Sequence, residues 1–400
     1  MDFSPLVERI AGEGAAAWDL HAEATAAADR GGDVILLSVG DPDLDTPESV
    51  TEAAVAALRG GDTHYTEALG GYRVREAIAR HFAGHGGWRA GPENVCIVSG
   101  AQNGLFFASM LLLQPGDEAL MLEPGYVTYE ATIGASGAAP VTVPTRAENG
   151  FRPEPDAIAA AVTPRTRVLM LTTPNNPTGV VMTLEELAAI AAIAREHDLW
   201  VVSDEVYAAL CFDATHHCIA ALPGMAERTV TVSSLSKSHA MTGWRAGWII
   251  GPKTLIDHAG NLALAVLYGL PGFVQQATLA ALADADAMAE RVNGIMRHRR
   301  DLMVAALAGI RGLRVTPPEA GMFVMVDVRG TGIDSAEFAQ RLYREQGVSV
   351  LDASAFGPSA AGHVRLSYTT DEARIAEACR RIETFCAALA GEDGGARVHG

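Results

Sequence analysis

Residues 234–248 read Ser-Leu-Ser-Lys-Ser-His-Ala-Met-Thr-Gly-Trp-Arg-Ala-Gly-Trp, and they place an amine among hydroxyls and a guanidinium. The β-branched run 229–233 before them predicts a strand, so Lys237 follows the carboxyl end of that strand. A lysine amine whose proton affinity is lowered by burial can condense with an aldehyde. The donors around it suit a phosphate and come from Ser234, Ser236 and Arg245. The stretch indicates a site for a phosphorylated aldehyde, although an isolated Ser-x-Ser-Lys would more often be a surface lysine beside a turn.

An acidic residue ends the strand predicted before this one. The apolar run 199–203 closes with Asp204, and a carboxylate at the end of a buried strand is costly without a cationic partner. A protonated pyridine nitrogen would be that partner, and the protonated ring would withdraw electrons from a carbanion. Tyr207 follows at one-turn spacing and could donate a hydrogen bond to the phenolic oxygen of the ring. Together with Lys237, these residues indicate pyridoxal phosphate.

A phosphate-binding loop is predicted between a strand at 95–98 and an apolar helix at 105–113. In such a loop, free backbone amides and the positive end of the helix dipole point at one place. The loop Ser99-Gly100-Ala101-Gln102-Asn103-Gly104 lacks the Gly-Lys-Ser/Thr of a Walker loop and the three spaced glycines of a dinucleotide fingerprint. Without Lys237, an ordinary strand-to-helix turn would be the better interpretation.

An Asn-Pro turn follows the strand-like run 167–172. The sequence Thr173-Pro174-Asn175-Asn176-Pro177 places an amide side chain at the mouth of the sheet, and bonds such as Asn176-Pro177 are the kind that can be cis. Alone this is a common turn signal. Its position in the order before Asp204 and Lys237 makes it more specific.

This order of motifs resembles that of the fold type I pyridoxal phosphate enzymes, and within them the class I/II aminotransferases. The resemblance extends from Gly40 to Arg365. It implies an α/β fold with a mostly parallel seven-stranded sheet in a large domain, and a smaller α+β domain. It also implies pyridoxal 5'-phosphate as cofactor, an amino acid and a 2-oxo acid as substrates, a ping-pong mechanism, and a homodimer with shared active sites.

The same resemblance assigns roles to individual residues. The catalytic residues would be Lys237, Asp204 and Tyr207, with no metal. The phosphate would be bound by Gly100, Ala101, Gln102, Ser234, Ser236, Arg245 and, from the neighbouring subunit, Tyr65. The cofactor ring would contact Tyr126 by stacking and Asp204, Asn176 and Tyr207 by hydrogen bonds. The substrate would be bound by Gly40, Asn176 and Arg365, and cis bonds are expected at Asn176-Pro177 and Glu123-Pro124. The sequence Leu351-Asp352-Ala353-Ser354 departs from a Pro-Gly turn that the family often has there.

Several segments away from the cofactor resemble arginine–pyruvate transaminases in particular. These segments are 14–19, 261–264, 267–269, 321–327 and 356–363. The resemblance predicts a long basic donor such as arginine, with Trp18 and Asp19 near its distal end and Tyr268 in a neutral pocket wall beside Gln102. Asp19 could equally cap the first helix. Aminotransferases for a modified arginine, for aspartate or for aromatic substrates share the main motifs, and so do pyridoxal phosphate lyases.

Composition sets limits on the class of protein. A formal net charge of -18 argues against nucleic acid or an anionic membrane surface as a partner. No run approaches the roughly 20 apolar residues of a membrane span, and no basic-then-apolar leader is apparent, so a cytoplasmic protein is expected. Five cysteines without a CxxC pair fit reduced, structural thiols. The tract His216-His217-Cys218 fits a solvated loop better than a metal site.

The chain of 400 residues is long enough for two domains. Short apolar runs alternate with helical patterns from 95 to 250, and a capping box at Thr183 to Glu186 opens one of these helices. A single long helix is predicted at 272–307. These patterns suggest a large domain at 46–285, a second domain from 1–45 and 286–390, and a disordered tail at 391–400.

Overall fold

The computed structural model describes residues 2–11 and 17–396. Its strands are β1 Ile35–Leu36, β2 Val95–Ser99, β3 Glu118–Glu123, β4 Ala139–Pro144, β5 Thr166–Thr172, β6 Trp200–Asp204, β7 Thr229–Ser234, β8 Ala246–Ile250, β9 Arg314–Val315, β10 Phe323–Asp327, β11 Val348–Ser349, β12 Leu351–Asp352 and β13 His363–Ser367. Seven of them form the main sheet in the order β2-β8-β7-β6-β5-β3-β4. Strand β8 is antiparallel to both neighbours, and every other adjacent pair is parallel. The predicted α/β fold is confirmed.

Helices cover both faces of this sheet. The helices are α1 Leu6–Arg9, α2 Ala17–Asp29, α3 Glu48–Arg59, α4 Tyr72–Gly84, α5 Gly100–Leu112, α6 Tyr129–Ser136, α7 Pro155–Ala161, α8 Leu184–Glu196, α9 Lys253–Val266, α10 Gly272–Ala283, α11 Ala285–Leu307, α12 Ser335–Gln346 and α13 Glu372–Ala396. On one face Val201 of β6 packs in a cluster with Ile190 of α8, and on the other Val202 packs with Phe107 of α5. This double cover explains why the parallel strands are apolar runs rather than alternating ones.

Helix α8 begins where its capping box was predicted. The Thr183 side chain accepts a hydrogen bond from the Glu186 amide at 3.2 Å, and the Glu186 carboxylate accepts one from the Thr183 amide at 2.7 Å. Two backbone donors that the helix itself cannot satisfy are therefore paired.

A smaller sheet forms the second structural unit. Its order is β12-β13-β10-β9 with antiparallel neighbours, and a separate parallel pair joins β1 to β11. Helices α11 to α13 pack on it around a core that contains Val324, Leu342 and Phe385. Strand β1 and helix α2 contact this unit, so the N-terminal segment joins elements that come much later in the sequence.

The long helix predicted at 272–307 is two helices, with a break at Asp284. The backbone of Asp284 leaves the helical region at φ -119° and ψ 28°. Helix α10 packs against α3 and α4, whereas α11 packs against α13 and β10. Because these packing partners belong to different units, tertiary contacts override a sequence that is helical throughout.

The ends of the chain also differ from the prediction. Helix α13 continues to Ala396 and thus past the predicted end near 390, while residues 397–400 of the predicted disordered tail lie outside the described residues. Residues 14–16 of the segment 14–19 lie outside them as well. The domain boundaries stay a prediction. Among the helices of 2–11 and 17–396, none is long and apolar enough to cross a membrane.

Candidate active site

The carboxyl ends of β5, β6 and β7 open into a cavity of about 190 Å³. On its other side lie β10 and β13, which supply Phe323 and Arg365. The predicted site residues that line the cavity are Trp18, Gly40, Ala101, Gln102, Tyr126, Asn176, Asp204, Tyr207, Ser234, Ser236, Lys237, Arg245 and Arg365. Residues from distant parts of the sequence thus meet where parallel strands end, which is the usual position of a ligand site in an α/β sheet.

The Lys237 amine lies inside this cavity as a basic group with lowered proton affinity. Its Nζ donates a hydrogen bond of 2.6 Å to the Gly40 carbonyl. Burial lowers the pKa of Lys237 from 10.5 to about 8; Asp41 opposes this shift, and Arg365 and Arg245 act with it. A substantial fraction of the amine is therefore unprotonated slightly above neutral pH, as a nucleophile or a general base requires.

Gly40 reaches Lys237 because it has no side chain. A Cβ at this position would collide with the Phe323 ring. The backbone therefore passes directly beneath that ring, and only glycine allows the carbonyl to approach the amine so closely.

Asp204 is a buried carboxylate at the end of β6. Its Oδ2 accepts a hydrogen bond of 2.9 Å from the Tyr129 hydroxyl, and its Oδ1 accepts one of 3.3 Å from the Val206 amide. Burial raises the pKa of Asp204 from 3.8 to about 6, Glu205 adds to the effect, and the bonds from Tyr129 and Val206 oppose it. A cation placed against this carboxylate would favour its ionised form. Sequence reasoning missed Tyr129, whose only signal is its one-turn spacing from Tyr126.

The Asp204 carboxyl gives the cofactor-free protein a pH-dependent stability. With a pKa raised to about 6, the folded state holds the proton more tightly than an unfolded chain that titrates near 3.8. The contribution of this carboxyl to stability is therefore fully present below about pH 4, and roughly 3 kcal/mol of it is lost as the pH rises through 6. We expect Asp204→Asn to remove this fall, as measured by denaturant unfolding between pH 4 and 8. Asp257→Asn, at an exposed helix position, is the control, and equal pH slopes in Asp204→Asn and the native protein would contradict the assignment.

Arg365 is a fully buried cation on β13. Its Nη1 donates to Asn176 Oδ1 at 3.0 Å and its Nη2 donates to the Ser38 carbonyl at 2.7 Å. Its guanidinium carbon lies 3.9 Å from the ring centre of Phe323 and 4.8 Å from that of Phe356. Burial lowers the pKa of Arg365 to about 10, so the group remains charged near neutral pH.

The Nε of Arg365 is buried and has no hydrogen-bond partner among the described residues. A buried donor without a partner is costly, so this atom is a place for an anionic acceptor such as a carboxylate. The two aromatic rings in contact with the guanidinium favour one orientation of it. Sequence reasoning found Arg365 but neither Phe323 nor Phe356.

Backbone and side-chain donors converge at the start of α5. Gly100, the first residue of the helix, has a φ of +78°, and a Cβ there would collide with the Arg245 guanidinium. A Cβ at Gly247 would lie 2.6 Å from the Gly100 carbonyl carbon and 2.7 Å from the Ala101 amide nitrogen. The helix terminus, β8 and the guanidinium are therefore in close contact, and the amides of α5 face the same point as Arg245. Such a convergence suits a phosphate.

The two cis bonds expected from the resemblance are present at Glu123-Pro124 and Asn176-Pro177, and Thr173-Pro174 is cis as well. The departure at 351–354 forms β12 and the start of a short 3₁₀ turn, Ala353–Phe356. This turn places the Phe356 ring in contact with the Arg365 guanidinium.

Four predicted residues are not among those that line the cavity: Gly100, at the start of α5, and Tyr65, Tyr268 and Asp19. Tyr65 is 87% exposed and contacts Tyr268 with ring centres 4.8 Å apart, so both lie on an outer surface of this chain. Asp19 is exposed in the first turn of α2. Its position does not support a contact with a bound guanidinium, although a carboxylate in the first turn is favourable for the helix itself.

The tract at 216–218 is not the solvated loop that was expected. The His216 side chain is only 8% exposed and its Nε2 lies 3.2 Å from Glu205 Oε2, and Cys218 is buried. No group of side chains in the described residues is arranged to hold a metal ion. Nothing in the sequence indicates Glu205 as the partner of His216, because only the fold brings the two residues together.

The residues at this site fit pyridoxal phosphate. The amine of Lys237, the carboxylate of Asp204 and the donor cluster at Gly100 and Arg245 correspond to its aldehyde, its ring nitrogen and its phosphate. The buried, unpartnered Nε of Arg365 adds a place for the carboxylate of a substrate.

Known proteins resemble this chain over nearly its whole length. The model of the family "aminotransferase class I and II" matches residues 32–382. The chain is 48% identical over 392 residues to the arginine–pyruvate transaminase AruH of Pseudomonas aeruginosa, covering 98% of this chain and 100% of that protein. It is 38% identical to an aspartate/prephenate aminotransferase of Thermus thermophilus, covering 88% and 91%.

Solved structures agree with these matches. The aspartate aminotransferase of Thermus thermophilus with maleate superposes with a TM-score of 0.91 at 35% identity, covering 96% of this chain and 99% of that one. An aromatic aminotransferase from Pyrococcus horikoshii superposes with a TM-score of 0.87 at 36% identity, covering 89% and 96%. The chain therefore belongs to the class I and II aminotransferases and is a pyridoxal phosphate-dependent transaminase of fold type I.

Proposed function

We propose that this transaminase moves the α-amino group of arginine, or of a closely related guanidino acid, to a 2-oxo acid such as pyruvate. The observation that carries the proposal is the 48% identity to an arginine–pyruvate transaminase over the full length of that protein. Relatives at 35% to 38% identity include aspartate and aspartate/prephenate aminotransferases, so the side-chain pocket must be considered separately.

The charges in the cavity favour a donor without a second carboxylate. Among the described residues that line it, the cations are Lys237, Arg245 and Arg365. Each already has a function: Lys237 for the aldehyde, Arg245 for the phosphate and Arg365 for the α-carboxylate. The side-chain carboxylate of aspartate would therefore be buried without a cation of this chain, which is costly.

Trp18 supplies a surface for a guanidinium. Its side chain lines the cavity and packs against the cluster that contains Phe356 and Met325. A guanidinium stacked on an indole gains about 0.5–2 kcal/mol, depending on how much water is removed. Both Trp18 and Asp19 were predicted near the distal end of the donor, but Asp19 is exposed outside the cavity, so only the Trp18 contact is retained.

The reaction follows from the positions of the side chains. Arg365 and Asn176 hold the α-carboxylate, and the Lys237 amine lies in the same cavity. The free Lys237 amine acts first as a general base, which removes the proton from the α-carbon. It then acts as a general acid, which returns the proton to the carbon on the other side of the amino nitrogen. When bound, the cofactor supplies a protonated ring that withdraws electrons from the reacting carbon. Asp204 keeps that ring protonated, and the same residues serve both half-reactions of a ping-pong cycle.

A panel of donors tests the specificity. With pyruvate as acceptor, we expect kcat/KM for arginine to exceed that for aspartate by at least about 10- to 100-fold, because an unpaired buried polar group costs about 1–3 kcal/mol and a charged one more. Alanine serves as the control because it has no side-chain carboxylate to bury. A higher kcat/KM for aspartate than for arginine would overturn the arginine assignment and leave transamination intact.

We also propose a homodimer with composite active sites. The support is an exposed apolar surface formed by Tyr65 and Tyr268, together with Leu264 and Val266, each of which is about half or more exposed. In such a dimer, the resemblance to the family assigns Tyr65 of each chain to the phosphate site of the other.

Subunit mixing tests the shared site. Lys237→Ala and Tyr65→Phe homodimers should each be impaired, and a mixed dimer should regain activity because one of its two sites contains neither substitution. Differently tagged subunits, purified as heterodimers and assayed for arginine turnover, provide the measurement. Confirmed heterodimers without any gain over the Tyr65→Phe homodimer would argue against a contribution from Tyr65 across the interface.

A further inference from the structure

Helix α2 has two aromatic side chains on one face, and one of them lines the substrate site. Trp18 and His21 are three residues apart and therefore lie on the same face of the helix. Their ring centres are 5.6 Å apart in an edge-to-face arrangement. Trp18 lines the cavity, whereas His21 does not. His21 is thus placed to control where Trp18 lies without touching the substrate.

His21 connects this helix to the segment that holds Arg365. Its Nδ1 shares a hydrogen bond of 2.8 Å with the Ser38 hydroxyl. Ser38 is completely buried, and its carbonyl accepts the 2.7 Å hydrogen bond from Arg365 Nη2. Ser38 therefore links helix α2, which carries Trp18, to the Arg365 guanidinium that is proposed to bind the α-carboxylate.

A second hydrogen bond reaches the same hydroxyl. Ser349 Oγ donates to Ser38 Oγ at 3.1 Å. With Ser349 as the donor, the Ser38 hydroxyl proton is free to point at His21. Burial and the Arg365 charge both lower the pKa of His21, which favours the neutral imidazole that accepts this proton.

We propose that His21 is a positioning residue that fixes Trp18 at a set distance from Arg365 and thereby sets the preference for long guanidino donors over short ones. The inference deepens the proposed function, since it assumes that Trp18 meets the distal end of the donor. A donor held at its carboxylate by Arg365 has its side chain at a defined distance from that point. An indole that moves with an untethered helix would no longer meet a guanidinium there, whereas a methyl side chain would not reach it in either case.

The test compares His21→Leu with His21→Asn in the holoenzyme. Asparagine can place a hydrogen-bonding atom near the position of Nδ1, and leucine cannot. For His21→Leu we expect KM for arginine to rise about five- to tenfold, with kcat and both constants for alanine within about twofold of the native enzyme. His21→Asn should restore most of the loss. Ser349→Ala, which removes the other bond to the same hydroxyl, should leave the arginine-to-alanine ratio unchanged.

Quenching of Trp18 fluorescence by acrylamide gives a measurement that does not depend on turnover. The Trp18 contribution is obtained by subtracting the signal of the matching Trp18→Phe protein. We expect His21→Leu, but not His21→Asn, to make Trp18 more accessible to the quencher.

The outcomes distinguish a failure of the positioning role of His21 from a failure of the proposed arginine specificity. A native enzyme that does not prefer arginine contradicts the proposed function, while the quenching result still decides the role of His21. If His21→Leu weakens arginine and alanine equally, or if asparagine fails to restore arginine binding, the positioning role is wrong. Unchanged quenching in His21→Leu would also overturn it.

Discussion

Replacing Lys237 by alanine is expected to reduce transamination by at least about 10³-fold and to abolish the visible absorption band of a lysine-linked cofactor. The first effect follows because general acid–base catalysis by one positioned side chain contributes about 10²–10⁴-fold, and the covalent linkage is lost as well. The position is specific: the amine lies in the cavity beside Arg245 and Arg365, the cations proposed for the phosphate and the carboxylate, and its pKa is lowered to about 8.

The sequence provides a matched control for this experiment, because it contains one other lysine. Its only lysines are Lys237 and Lys253. Lys253 lies on the surface, where its Nζ is 2.6 Å from Asp257 in the next turn of α9. Borohydride reduction followed by peptide mass spectrometry should locate the cofactor on Lys237 alone, and Lys253→Ala should keep the band and full turnover. Retention of both by Lys237→Ala would show that another amine carries the cofactor.

The second large effect is expected at Arg365. Arg365→Lys keeps a positive charge but removes the planar fork that binds Asn176 and Ser38 and that is proposed to bind a carboxylate at the same time. Disrupting a buried, hydrogen-bonded charge pair costs about 2–5 kcal/mol, so kcat/KM for amino-acid donors should fall roughly 30- to 5000-fold. The cofactor band should remain, because Arg365 is assigned to the substrate rather than to the phosphate.

Agmatine, which is arginine without its carboxylate, distinguishes a lost carboxylate clamp from a misfolded site. The native enzyme should prefer arginine strongly over agmatine, and Arg365→Lys should reduce that preference by the same factor by which kcat/KM for arginine falls. An unchanged ratio of arginine to agmatine, together with a lower overall rate, would indicate that Arg365 supports the fold and does not bind the carboxylate.

The local chemistry of the site could be predicted because it lies at the ends of strands that the sequence makes evident. The apolar run before Asp204 and the β-branched run before Lys237 are observed as β6 and β7, with Asp204 as the last residue of its strand. Parallel strands end at the same edge of a sheet, so residues that directly follow them must meet. The same reasoning located Asn176 after β5.

The limits of this reasoning are visible at Asp19, Tyr268 and Asp284. Asp19 is adjacent in sequence to Trp18, yet successive helix residues point about 100° apart, and only Trp18 faces the cavity. Tyr268 lies on an outer surface beside Tyr65 and does not line the cavity of its own chain. The break at Asp284 arises from packing partners in two different units, and local helix propensity contains no information about them.

The sequence alone determined the type of chemistry in this protein: a nucleophilic lysine, an acid for a ring nitrogen and a helix start for a phosphate. These features are local, because each depends on a few residues next to the end of one element. The tertiary structure alone decided which groups surround the substrate, including Tyr129 against Asp204, Phe323 and Phe356 around Arg365, and His21 joined to Ser38. These contacts join residues far apart in the chain, and such pairs become neighbours only when separate elements pack against each other.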